Sequence, residues 1–92
     1  MLHKLLWSSA ALVSLTMLGT AQAADVAAGK AKTETICNEC HEAADWQGEG
    51  EADLQALIKD VVAGKVKHPK KLQLSDAEIA NIAAYWAAES AK

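Results

Sequence analysis

The chain has 92 residues with 51% hydrophobic and 23% charged side chains, and its formal net charge of −3 excludes nucleic-acid binding by bulk positive charge. Two cysteines, Cys37 and Cys40, cannot build a disulfide framework. A domain this short has a marginal apolar core, so a prosthetic group or metal is the expected supplement.

The first segment reads as an export signal, not as part of a folded domain. Lys4 supplies a positive start, residues 5–18 form an apolar run, and Ala21-Gln22-Ala23 fits an A-x-A cleavage site. The run is shorter than the roughly 20 apolar residues that a membrane span needs. Cleavage after Ala23 is therefore expected, with residues 1–23 a secretory signal peptide and residues 24–92 a single soluble domain. Without Lys4 its net charge becomes −4.

No alternating strand pattern is present, and the periodicity resolves into three helices, which makes the expected fold class all-α. The first is predicted over residues 25–40, with Asp25 as N-cap and Val26, Gly29, Thr33, Ile36 and Cys37 on one stripe. Gly29 on that inward face suggests a close helix crossing, because an interior glycine otherwise costs about 1 kcal/mol against alanine. The second is predicted over residues 51–63. Leu54, Leu57, Ile58, Val61 and Val62 share a face, Glu49, Glu51 and Asp53 suit the positive end, and Gly64 fits a left-handed C-terminal position.

A basic loop with Lys65, Lys67, His68, Pro69, Lys70 and Lys71 follows, in which Pro69 prevents helix and keeps His68 extended. The third helix is predicted from Ser75, with Glu78 completing a capping box and Leu74 and Ile79 forming a hydrophobic staple. It is expected to run to about Glu89 and to bury Ile79, Ile82, Ala83 and Trp86.

Cys37-Asn38-Glu39-Cys40-His41 is a C-x-x-C-H sequence, the attachment motif for c-type haem. Two thiols three positions apart can form thioethers to the haem vinyl groups, and the adjacent His41 then offers its imidazole to the iron. C-x-x-C alone is shared with redox dithiols and zinc sites. A redox dithiol expects a βαβ context that is missing here, and Cys37, Cys40, His41 and His68 lack the usual zinc spacing.

With Gly29 before the motif and Ile82-Ala83-Ala84-Tyr85-Trp86 in the last helix, residues 24–92 resemble a short class I cytochrome c. The resemblance implies about three helices around one covalently bound haem c, with terminal helices crossing at the glycine. It implies Cys37 and Cys40 as the haem-binding thioethers and His41 as proximal iron ligand. The family's distal methionine is missing, since Met1 and Met17 both lie in the signal, and His68-Pro69 stands at the matching place. His68 is accordingly read as the distal iron ligand in a bis-histidine, low-spin site. The alternative is a surface His68, with the iron five-coordinate or bound by Lys65, Lys67, Lys70 or Lys71.

Two further departures stand out. No proline follows His41 to supply the family's carbonyl acceptor for the proximal imidazole, and Thr33 takes the place of an aromatic, leaving Tyr85 and Trp86 to fill the crossing. Trp46 either lines the haem or packs against the second helix.

The function implied is a periplasmic, monomeric electron carrier and not an enzyme. Its redox partners would dock transiently, through Lys65, Lys67, Lys70 and Lys71 beside the distal ligand, with Glu39, Glu42, Asp45, Glu49, Glu51 and Asp53 on the proximal side. The rival is a haem-based sensor or small-ligand binder with an open or displaceable sixth position.

Overall fold

The computed structural model describes residues 23–92. The expected signal lies outside the described residues except for Ala23. Among the described residues there are three α-helices, one 3-10 turn and no strand: α1 Val26–Ile36, the 3-10 turn Ala43–Trp46, α2 Glu51–Val62 and α3 Asp76–Ser90. None of the described helices is long and apolar enough to cross a membrane.

Helix α1 starts where its cap dictates, with the Asp25 side chain accepting from the Ala28 N–H. It stops at Ile36 and does not run on to Cys40 as the periodicity predicts. The reason lies in the hydrogen bonds. Both Cys37 and Asn38 donate their backbone N–H to the Thr33 carbonyl, and residues 37–40 then close a separate turn in which Cys40 and His41 donate to the Cys37 carbonyl. One acceptor shared by two successive donors breaks the regular ladder. His41 thereby leaves the helix axis.

Gly29 and Thr33 are buried against α3. A β-carbon on Gly29 would lie 2.0 Å from the Asn81 carbonyl oxygen, so the two backbones touch there and only glycine fits. The Asn81 side chain also accepts from the Asp25 backbone N–H at 2.8 Å. Thr33 is fully buried, and its hydroxyl satisfies itself on the Lys30 carbonyl.

Helix α3 opens with the predicted capping box: Ser75 accepts from the Glu78 N–H, and the Glu78 carboxylate accepts from the Ser75 N–H. It extends through Ser90 and buries Ile79, Ile82, Ala83, Ala84 and Trp86. Lys32 of α1 reaches Glu78 at 2.7 Å, adding an ion pair beside the crossing. Leu54 of α2 joins Ile82, Ala83 and Trp86 in the core, with Trp46, Ile58, Leu74 and Tyr85 packed around it. Gly64, at φ +77°, supplies the left-handed residue that ends α2.

Candidate functional site

Of the apolar face predicted for α2, only Leu54 is buried. Leu57, Ile58 and Val61 instead line a cleft of about 340 Å³, within the range of roughly 300–1,000 Å³ common for ligand pockets. Its far wall is the loop after α2, through Val66, Lys67, His68 and Leu72; its near wall is Ile36, Cys37, His41 and Trp46. Leu57 and Val66 are each 39% exposed, so the lining is apolar surface and not closed core.

The two histidines singled out by the sequence meet in this cleft. The ring centroids of His41 and His68 are 6.3 Å apart and their planes are inclined by 23°. Two metal–imidazole bonds of about 2 Å, plus about 1.1 Å from each nitrogen to its ring centre, require a separation of about 6 Å. Each ring is also held through the same nitrogen. His41 Nδ1 lies 3.3 Å from Asp45 Oδ2, and a carboxylate can only accept, so the shared proton belongs to Nδ1.

His68 Nδ1 lies 2.6 Å from the Lys70 carbonyl and 3.3 Å from the Lys70 N–H. One nitrogen cannot donate to the first and accept from the second in a single tautomer, and the shorter contact makes it a donor. Both Nε2 atoms are left as acceptors, the arrangement that metal-binding histidines adopt when their other N–H is tied to an outer partner. Among the described residues no three His, Cys, Asp or Glu side chains converge on one point. A metal between the two imidazoles would therefore take its other ligands from elsewhere, as from the four nitrogens of a porphyrin.

Cys37, half-buried, lines the cleft, whereas Cys40 is exposed on the turn. Burial pushes the Cys37 thiol above its ordinary value, with Trp86 and the Lys70 ammonium pulling weakly the other way. A redox dithiol needs the opposite, a thiol held low so that thiolate is available.

Trp46 both lines the cleft and packs on the core, its ring 5.1 Å from His41 and 6.0 Å from Trp86. Its indole N–H is buried with no partner among the described residues. Such a donor fits a ligand that carries a carboxylate or other acceptor, as the propionates of haem do, and the donor set as a whole suits that group.

The expected separation of basic and acidic flanks needs correction at one point. Lys70 is not separate from the acidic flank: exposed as it is, it binds Glu39 at 2.8 Å and so ties the His68 loop to the turn carrying the cysteines. The Lys70 ammonium holds the Glu39 carboxyl below its ordinary range, and Glu39 in turn holds Lys70 above its own. Lys65, Lys67 and Lys71 remain exposed, and Lys67 is at the cleft.

Sequence reasoning missed Asp45 as a partner of His41. Its signal was present, since an acid four residues after a histidine is within reach on any helical turn. Compared with known proteins, the chain matches no family model, no curated protein and no solved structure.

Proposed function

We propose that the chain is an electron-transfer protein of the class I cytochrome c type, carrying single electrons on one covalently bound, bis-histidine, low-spin haem c. The observation that carries this reading is the facing pair of His41 and His68, 6.3 Å apart across an apolar cleft, directly beside the C-x-x-C-H attachment sequence. Cys37 and Cys40 would hold the porphyrin through thioethers, and His41 and His68 would supply the axial ligands. When bound, the group supplies one-electron chemistry at its iron.

The residues of the chain do the rest. The Asp45 and Lys70 contacts hold the His41 and His68 rings, which would limit rearrangement of the two side chains when a bound group changes oxidation state. If His41 and His68 both hold the iron, no ligand position would be left open for a substrate, which favours carriage over catalysis. Two imidazoles, in place of imidazole and thioether, favour the oxidised iron and a lower potential. The export signal read in residues 1–23 fits a role for such a carrier in the periplasm. Lys65, Lys67 and Lys71 form the exposed basic edge near the distal ligand and suit transient, salt-sensitive docking to acidic redox partners.

The test is to mature the full chain in a host that attaches haem. Haem should stay with the polypeptide after acid-acetone extraction, and the spectrum should be low-spin without a methionine–iron charge-transfer band. His68→Ala should turn the iron high-spin and let the reduced protein take up carbon monoxide readily. An unchanged low-spin spectrum in His68→Ala would remove His68 from the iron and favour a neighbouring lysine. Rapid carbon monoxide binding by the wild type would favour the sensor reading.

A further inference from the structure

Asp45 lies on the short Ala43–Trp46 turn directly after the attachment motif, and two donors share its Oδ2: the Glu42 backbone N–H at 3.0 Å and His41 Nδ1 at 3.3 Å. The first contact shapes the turn together with the Asp45 N–H, which donates to the Glu42 backbone carbonyl at 3.0 Å. The second faces the candidate iron ligand. Among the described residues no backbone carbonyl takes this place, and the other rings near His41, Trp46 and His68, contribute faces and edges but no anion.

We infer that Asp45 is a positioning and tuning residue of the redox centre: its carboxylate accepts the His41 Nδ1–H, fixes Nε2 toward the iron and makes the proximal imidazole a stronger donor. The inference rests on the haem reading given above. An anionic acceptor pulls the shared proton further than a neutral carbonyl does, which raises the basicity of the ligating nitrogen. Greater basicity favours the higher oxidation state, so Asp45 lowers the potential in the same direction as the second imidazole. The side chains of His41 and Asp45 are 36% and 42% exposed, so water weakens the effect without abolishing it.

The comparison that separates tuning from turn-building is Asp45→Asn against Asp45→Glu, each matured as the haem-loaded full chain. Asparagine keeps an oxygen acceptor for the Glu42 N–H but removes the charge, whereas glutamate keeps the charge. The midpoint potential should rise in Asp45→Asn, by about a tenfold change in the reduction equilibrium or 59 mV for one electron, and should stay near the wild-type value in Asp45→Glu. In the reduced, diamagnetic protein the His41 Nδ1–H proton resonance should move in Asp45→Asn as the acceptor changes.

Thermal stability should fall little in Asp45→Asn, because the Glu42 N–H keeps an oxygen acceptor. A wild type that binds haem covalently but whose potential is unmoved by Asp45→Asn overturns this inference alone. A wild type without covalent haem overturns the haem reading and this inference with it.

Discussion

Adding one methyl group at residue 29 tests whether the crossing of α1 and α3 is as close as the structure makes it. In Gly29→Ala the new β-carbon would lie 2.0 Å from the Asn81 carbonyl oxygen, 2.6 Å from its carbon and 3.0 Å from Tyr85 Cβ. Ordinary carbon–oxygen contact begins at about 3.3 Å, so the helices must part by roughly 1 Å. Two of the three obstructing atoms are α3 backbone, which cannot turn aside as a flexible side chain can. Overpacking of this kind costs about 3 kcal/mol, at the upper end of its usual range. Parting the helices also strains the Asp25–Asn81 hydrogen bond, worth about 1 kcal/mol.

Against this stands the helix propensity of alanine, a gain of about 1 kcal/mol. The net loss is about 3 kcal/mol. A domain of this size has only about 3–10 kcal/mol of stability, and its Tm should fall by about 10–20 °C. Urea unfolding followed by circular dichroism is the assay, with Ala27→Gly at an exposed position of α1 as the control. Propensity alone predicts that Gly29→Ala stabilises and Ala27→Gly destabilises. If Gly29→Ala is as stable as the wild type or more so, the contact argument is wrong.

The acid limb of stability should depend on Glu78, whose carboxyl is held at about 2 first by Lys32 and then by the Ser75 N–H, against an ordinary 4.5. A depressed acid contributes its stability above the unfolded value and loses it as the pH falls from about 4.5 toward 2, so Lys32→Ala should shift acid unfolding to higher pH. An unshifted acid transition in that variant would show the ion pair to be silent. Trp46→Phe removes the unpartnered indole N–H while keeping most of the ring. On the proposed reading that N–H serves an acceptor on the bound group, and the haem-loaded variant should lose about 1–2 kcal/mol; a gain in stability would mean that the N–H has no such partner.

What could be read from the sequence was local. The capping box at Ser75 and Glu78, the left-handed Gly64 and the buried stripe of α3 depend on residues a few positions apart, and spacing specifies them. Gly29 was legible for a different reason: an interior glycine on an apolar face costs stability unless a neighbour needs the room. The end of α1 was not legible. Nothing in residues 37–40 forbids helix, and the break comes from which carbonyl receives two donors. The Lys70–Glu39 bridge was equally hidden, because it joins residues 31 apart in sequence that the fold alone brings together. Composition separated these charges into two flanks, and tertiary placement paired them.

The face of α2 was legible as apolar but not as to what it meets, and that gap bears on function. Periodicity said that Leu54, Leu57, Ile58, Val61 and Val62 share a side, and a shared apolar side is ordinarily core. In the fold only Leu54 is buried in the Ile82, Ala83 and Trp86 cluster; Ile58 packs against that cluster and, with Leu57 and Val61, also lines the cleft that His41 and His68 share. A chain this small has little apolar surface to leave uncovered, and among the described residues the buried hydrophobic core comprises six.

An apolar ligand in the cleft would complete that core, and the side chains at its edge restrict what the ligand is. Two imidazoles 6.3 Å apart suit a metal, a half-buried thiol beside them allows a covalent bond, and an indole N–H without a partner among the described residues suits an acceptor. A flat, apolar, metal-bearing group with acidic arms and a carbon that a thiol can add to would meet these three demands and fill the apolar cleft. Cys37 and His41 belong to the five-residue motif, whereas the apolar cleft, His68 and Trp46 lie outside it, and these residues favour the same proposal.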